Sequence, residues 1–260
     1  MSALADFRSS LNQIRALADD IGSQAANALA DPDLRARHQT VQCSCVVLLI
    51  GFFESFIRQF AEEAVTSLCA LNAPFGSLDG KIRKTHFEEG GRILQAKASG
   101  NRRHAWIAAS QEDIARRLHS VARPTGYEIV WEAFANTNAN PGIEVVRTFL
   151  ANFGIKDGWR QIAAKNGVSK AWAMESLDNI IVVRNECAHT GSVAIVPLPS
   201  DLRAYSDNLE RLAGAMESLV LAHIATLAQP AGSATAGTGA PAPAARDAIA
   251  PTQVARGPGH

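Results

Sequence analysis

The amino-acid sequence predicts an all-α protein. Aromatic residues make up only 6% of the chain and β-branched residues are scattered, whereas strands are normally rich in both. Alanine, leucine, arginine, glutamate and glutamine, which are good helix formers, are plentiful. Apolar residues also recur every three or four positions over long stretches, which is the period of an α-helix. Together these observations favour helices over sheet.

Two helices are predicted before residue 72. In the first, the apolar residues form one stripe, and the helix is expected to end at Asp31-Pro32. The stripe consists of Leu4, Phe7, Leu11, Ile14, Leu17 and Ile21. The second helix covers residues 34–71 and has a broader apolar face. This face consists of Val46, Leu49, Ile50, Phe53, Ile57, Phe60, Ala64 and Leu68. A face of this width predicts the central helix of the fold.

The second helix also contains the longest apolar run of the chain, residues 46–53, which Glu54 closes. A bilayer span needs about 20 apolar residues, so this run is too short. Acidic residues near the N-terminus exclude a secretory signal. The four cysteines lack the paired spacing of a zinc site and do not resemble a disulfide framework. We therefore expect a soluble, cytoplasmic protein with reduced cysteines, no metal and no cofactor.

A basic segment, residues 81–123, follows the central helix. It holds ten Lys and Arg residues against four acidic ones, although the whole chain has 25 of each sign. The overall neutrality argues against binding of nucleic acid or membranes through bulk charge. The segment itself could hold an RNA backbone, and the alternative is a solvated face of ordinary helices. Its candidate RNA-binding residues are Arg102, Arg103, Arg116 and Arg117.

Four further features organise the rest of the chain. Gly90-Gly91 is predicted to break the helices of the basic segment. A helix over residues 140–154 is expected to have Asn140 as its N-cap, followed by Pro141. The next helix is capped by Ser169 and runs to about residue 191, and the last is capped by Ser200. Beyond residue 228 the sequence is mostly Ala, Pro, Gly, Ser and Thr. We therefore predict one helical domain over residues 1–228 and a disordered tail over 229–260.

A group of polar residues stands at the end of a strongly apolar helix. Arg184 is followed directly by Asn185, and His189 comes four residues after Asn185. At about 100° per residue, Asn185 and His189 lie roughly 40° apart on one helix face. Arg184 lies roughly 140° from His189. Arg184 therefore needs its long side chain, or a loosened last turn of the helix, to reach a phosphate that Asn185 and His189 contact.

These residue types suit cleavage of an RNA phosphodiester. Histidine, with a reference pKa of about 6.5, can serve as base or acid, and arginine can neutralise phosphoryl charge. Asn185 can bind a phosphate oxygen or orient the imidazole. The reaction needs both an acid and a base, so a two-fold dimer that brings two copies of His189 together is expected. In the alternative interpretation, Arg184 and His189 only complement the helix dipole.

Two neighbouring residues have open interpretations. Glu54 interrupts an apolar face and either supports the site by contacting Arg184 or Asn185, or reaches solvent by rotation of its helix. Cys187 is either a nucleophile beside His189 or a small buried thiol. We favour the buried thiol because Cys187 and His189 face different sides of the helix.

The run Leu177-Asp-Asn-Ile-Ile-Val-Val-Arg-Asn-Glu-Cys-Ala-His-Thr-Gly191 resembles the signature of the HEPN superfamily. In that signature a polar residue follows an arginine, and four to six residues separate the arginine from a histidine. Residues 46–58 are similar to the apolar-plus-Glu helix of the RiboL-PSP-like branch, and residues 140–154 to its intervening segment. The final helix completes the likeness, which covers residues 34–227.

The resemblance implies a HEPN-like helical bundle with extra helices and a homodimer with a composite cleft. It also implies metal-independent endoribonuclease activity in a toxin–antitoxin or phage-defence setting, with an antitoxin or regulatory protein as a further partner of the RNA-cleaving dimer. On this likeness Arg184 and His189 are catalytic and Asn185 supports them. The alternative is a non-catalytic HEPN-like module that binds RNA, a nucleotide or a protein.

Overall fold

The computed structural model describes residues 2–101, 104–135, 141–190 and 195–227, and over these residues the regular structure is helical. The prediction of an all-α protein is therefore confirmed. The helices are α1 Ala3–Ser23, α2 Ala25–Ala30, α3 Pro32–Ala70, α4 Gly80–Ala98, α5 Gln111–Ser120, α6 Ile143–Asn152, α7 Gly158–Lys165, α8 Lys170–Thr190 and α9 Pro199–Leu227. Short 3₁₀ turns cover Phe75–Ser77 and Trp131–Ala133. The predicted tail, residues 229–260, lies outside the described residues.

Helix α3 is the centre of the fold, as its broad apolar face predicts. It packs against α1, α8 and α9. Along its buried side the rings of Phe53, Phe56 and Phe60 follow one another at centroid distances of 6.1 and 5.6 Å. Phe7 of α1 lies 5.3 Å from Phe56, and Phe149 of α6 lies 5.8 Å from Phe60. This aromatic row joins three helices, because each ring buries a large apolar area and contacts its neighbours at favourable distances.

Helix α3 is also long and apolar enough to cross a membrane by length and composition. Its most apolar window of 18 residues has a mean hydropathy of 1.8. The apolar part of the helix is therefore longer than the uninterrupted run at residues 46–53. Half of that window is buried inside the protein. The core helix of a soluble protein has the same properties, and the packing of α3 against three other helices accounts for its composition.

The first predicted helix differs from the structure in its end and in one residue of its apolar stripe. The first helix ends at Ser23 instead of reaching Asp31, and the short helix α2 fills the gap. Asp31 then caps α3 by accepting hydrogen bonds from two backbone N–H groups at 2.9 and 3.0 Å, with Pro32 in the first turn. Leu17 is 40% exposed, because Ala18 takes the inward position at that turn of α1. The other five residues of the predicted stripe are buried.

Gly90-Gly91 does not break a helix, contrary to the prediction. Helix α4 continues through both glycines. A Cβ atom at Gly90 would lie 3.0 Å from Leu118 of α5 and 3.4 Å from Val130. Gly90 is therefore explained by the close approach of these two neighbours, since a Cβ atom at this position would push the Leu118 side chain aside by a few tenths of an ångström.

The predicted caps of the last three helices have different outcomes. Ser169 caps α8 as predicted, since its hydroxyl accepts the N–H of Trp172 at 3.1 Å. Asn140 lies outside the described residues, and Gly142 is the N-cap of α6. Ser200 is not a cap, because α9 already begins at Pro199. Proline suits the first position of a helix, where its missing N–H has no intrahelical partner to lose.

Candidate functional site

Helix α8 carries the Arg184-Asn185 pair. It packs against α3, α7 and α9, and its buried side includes Leu177, Ile180 and Cys187. The backbone remains helical through Thr190, so the spacing from which the site is predicted applies to this part of the chain.

Arg184 and Asn185 are both half-buried. Arg184 Nη1 donates a hydrogen bond to Asn185 Oδ1 at 3.3 Å. In the described part of the chain, Arg184 Nε is buried and has no hydrogen-bond partner. A buried donor without an acceptor is uncommon and costly, so the guanidinium is suited to an anionic ligand that supplies one. The two residues that the sequence predicts as phosphate contacts are thus held together, with one donor still available.

His189 stands in the last turn of α8, but its side chain lies outside the described residues. Its backbone is helical, as is that of Asn185 one turn earlier. The contacts of the imidazole, and its catalytic role, stay predictions.

Cys187 is a buried thiol rather than an activated nucleophile. Burial, followed by a hydrogen bond with Cys43 of α3, raises the pKa of Cys187 to about 12. A thiol with such a pKa stays protonated near neutral pH, and the thiolate is the nucleophilic form. This contact also shows which face of α8 points inward, since Cys187 joins the last turns of α8 to the first half of α3.

Glu54 forms its ion pair with Arg58, one turn further along α3, and the two side chains are each about one third exposed. Arg58 in turn lies over the ring of Trp106 at 4.6 Å from the centroid. Arg184 hydrogen-bonds instead to Asn185, its neighbour on α8. The geometry favours the second interpretation of Glu54, in which it reaches the edge of the helix and is partly solvated.

The basic segment is less free than its composition suggests. Arg116 donates to Glu128 at 2.7 Å, and Arg117 donates to both oxygens of Glu132 at 3.1 Å. His86 is fully buried, and burial lowers its pKa to about 4, so it is neutral at physiological pH. Arg102 and Arg103 lie outside the described residues. Arg116 and Arg117 therefore have carboxylate partners that come after the segment, which favours a structural role for these two arginines.

Loss of the Arg117–Glu132 ion pair is expected to have a large effect on the free energy of unfolding. Glu132 is almost completely buried, and burial raises its pKa even though Arg117 opposes this. Arg117→Ala is expected to lower the free energy of unfolding at pH 7 by about 3–5 kcal/mol, because it leaves a buried carboxylate without a partner. The loss should shrink as the pH falls and Glu132 takes up a proton. Urea unfolding of the wild type and the variant at pH 7 and pH 5 measures the loss of stability and its dependence on pH.

The matched control is Arg116→Ala, since Arg116 pairs with the exposed Glu128. We expect a much smaller change from this variant, because an exposed ion pair is screened by solvent. Equal losses in the two variants would contradict the structural role assigned to Arg117.

The sequence interpretation did not foresee that α3 and α8 expose apolar side chains. Leu48 of α3 is 46% exposed and Val182 of α8 is 50% exposed. Both stand within apolar runs, but Leu48 is not part of the apolar face predicted for α3, so its exposure agrees with the helical period. Val182 precedes Asn185 by three residues, which is about 60° around the helix, so its apolar side chain lies on the face of α8 that carries Asn185.

Comparison with known families supports the region that the sequence resemblance identifies. The family model described as RiboL-PSP-HEPN matches residues 5–222. The match begins in α1 and ends in α9, so it also takes in the first helix, which the sequence likeness did not cover. No curated protein and no solved structure matches the chain at a significant level.

Proposed function

Because the chain belongs to the RiboL-PSP-HEPN family, we propose that it is a metal-independent endoribonuclease. Membership of the family indicates an RNase-type or RNA-binding role. The observation that carries the finer proposal is Arg184, whose buried Nε has no acceptor among the described residues and which stands beside the half-buried Asn185. Such a donor is suited to a phosphoryl oxygen, and a histidine follows one helical turn after Asn185.

In the proposed reaction the 2′-oxygen of RNA attacks the adjacent phosphorus and the bond to the 5′-oxygen breaks. A base removes the proton of the 2′-hydroxyl, and an acid protonates the leaving 5′-oxygen. His189 performs one of these two proton transfers. Arg184 stabilises the negative charge that builds on the phosphoryl oxygens, and Asn185 positions the phosphate or the imidazole. The products are a 2′,3′-cyclic phosphate and a 5′-hydroxyl.

A homodimer would supply the second proton-transfer group. One chain contributes one His189, and a two-fold axis near the ends of two α8 helices would bring a second copy to the same phosphate. The exposed side chains of Leu48 and Val182 support this arrangement, since apolar surface on two adjacent helices gains stability when a second copy covers it.

The biological setting is part of the same proposal. An enzyme that cuts RNA in its own cytoplasm must be held in check, so we expect an antitoxin or another regulatory protein as a partner. A toxin–antitoxin or phage-defence role fits this requirement. We expect the protein to act in the cytoplasm without a membrane.

The proposal is tested by incubating purified full-length protein with RNA in EDTA. We expect cleavage, products with 2′,3′-cyclic phosphate ends by mass spectrometry, and no cleavage of the matching 2′-O-methyl RNA, which lacks the attacking hydroxyl. Light scattering of the same sample should give twice the chain mass of 27.7 kDa.

Other outcomes of this experiment are equally informative. RNA binding without cleavage would support the non-catalytic module instead. Cleavage that requires a divalent ion, or that also cuts 2′-O-methyl RNA, would overturn the proposed chemistry. A monomer at micromolar concentration would contradict the composite site.

A further inference from the structure

A cavity lies far from Arg184, at the other end of α8. It has a volume of about 450 Å³, within the range of pockets that bind small ligands. Four cationic side chains line it, and we call it the basic pocket. They are Lys81 of α4, Arg147 of α6, Lys156 of the loop before α7, and Lys170 of α8. Lys170 precedes Arg184 by 14 residues, or roughly 21 Å along the helix axis, so the two sites are separate.

Three helices begin at the basic pocket. Asp79 and Lys81 flank the first residue of α4, Asp157 and Gly158 are at the start of α7, and Lys170 is the first residue of α8. The unpaired N–H groups and the dipole at a helix N-terminus attract anions. Asp157 makes no capping hydrogen bond through its side chain in the described structure, so the first amides of α7 keep this capacity.

The charge of the pocket is positive. Its two carboxylates face four cations, and Asp79 is already engaged as the cap of α4, where it accepts the N–H of Lys81 at 2.6 Å. Arg147 pairs with Glu144 on its own helix. Over the described residues no ion pair involves Lys81, Lys156 or Lys170. These three ammonium groups are therefore available to a ligand of negative charge.

The inner wall of the pocket is shaped by Gly154. This residue has a φ of +85°, and a Cβ atom there would lie 3.0 Å from the carboxyl carbon of Asp79 and 3.2 Å from His223 Nε2. His223 Nε2 is buried and has no hydrogen-bond partner among the described residues. Next to Gly154, Ile155 and Trp159 form part of the wall although both are more than nine-tenths buried. The indole is held in place by donating to the Ile143 carbonyl at 3.0 Å.

We propose that the basic pocket binds a phosphate-bearing ligand of nucleotide size. The phosphate would lie among the three lysines and the start of α7, and the apolar side of the ligand would lie against Ile155 and Trp159. The ligand is either a free nucleotide or the terminal nucleotide of an RNA chain, since both present the same phosphate. This site does not depend on catalysis by His189, because it is on another part of the surface.

The test measures binding of four probes to the full-length protein by calorimetry. The probes are adenosine, inorganic phosphate, adenosine 5′-monophosphate and a short 2′-O-methyl RNA with a 5′-phosphate. We expect saturable binding of the last two and none of adenosine. Lys156→Ala combined with Lys170→Ala should weaken binding at least about tenfold, since each charge-assisted contact to phosphate contributes about that factor. Binding of adenosine 5′-monophosphate, with or without the RNA, shows that a free nucleotide is sufficient as the ligand, whereas binding of the RNA alone identifies an RNA end.

The matched control is Lys84→Ala combined with Lys165→Ala, which removes two exposed lysines outside the pocket. This variant should bind the probes as the wild type does. The proposal is overturned if no phosphate-bearing probe binds, if adenosine binds equally well, or if the pocket and control variants lose affinity to the same extent. Since the readout is binding, failure of the proposed ribonuclease activity leaves the result interpretable.

Discussion

His189→Ala is expected to lower the rate of RNA cleavage in EDTA by about 10²–10⁴-fold, which is the usual contribution of general acid–base catalysis. The physical reason is that the imidazole is the only group at the end of α8 that we assign to proton transfer. Single-turnover cleavage of a labelled RNA measures the loss. His119→Ala is the matched control, because it removes an exposed histidine on α5 and should leave the rate unchanged.

The same variant separates catalysis from a role in helix stability. If His189 only complements the dipole of α8, His189→Ala should lower the free energy of unfolding by about 0.3–1 kcal/mol and leave the cleavage rate unchanged. Urea unfolding, run beside the cleavage assay, distinguishes the two roles. A folded variant with wild-type cleavage would show that the catalytic assignment is wrong.

Arg184→Lys is expected to lower the cleavage rate by about 10²–10³-fold, nearly as much as Arg184→Ala, although it keeps the positive charge. Arg184 donates to Asn185 through Nη1, and its buried Nε has no acceptor in the part of the chain that the structure describes. A planar guanidinium can therefore offer a phosphate more than one donor in a preset direction, and an ammonium group cannot. Single-turnover rates at saturating RNA measure the effect on the chemical step.

The control for these variants is Arg160→Ala, which removes an exposed arginine of α7. It should cleave RNA at the wild-type rate. Full activity in Arg184→Lys would show that charge alone is needed at this position. Full activity in Arg184→Ala would remove Arg184 from the mechanism.

The sequence predicts the helices well because their signals are local. A cap such as Ser169 acts on backbone groups within three residues, so it can be recognised without knowing the fold. The three- and four-residue spacing of α3 likewise predicts a central helix whose face is buried. One error occurs where a distant element decides the outcome. Gly90 resembles a helix break until Leu118 and Val130 are seen against it.

The candidate site shows the same division. The Arg184-Asn185 pair and its distance to His189 are properties of the sequence and of helix geometry. The ion pairs of Arg116 and Arg117 cannot be read from the sequence, because their partners Glu128 and Glu132 come from a separate part of the chain. Counting charges therefore overestimated the cations that are free in the basic segment.

The sequence by itself determined the helical class, the central position of α3 and the residues at which RNA chemistry is proposed. Each of these depends on short-range periodicity or on one run of residues. The tertiary structure decided which side chains are available. It buries Cys187 against Cys43, pairs Glu54 with Arg58, and brings Lys81, Lys156 and Lys170 to one cavity. Burial and charge pairing depend on contacts between distant segments, so only the packed helices reveal them.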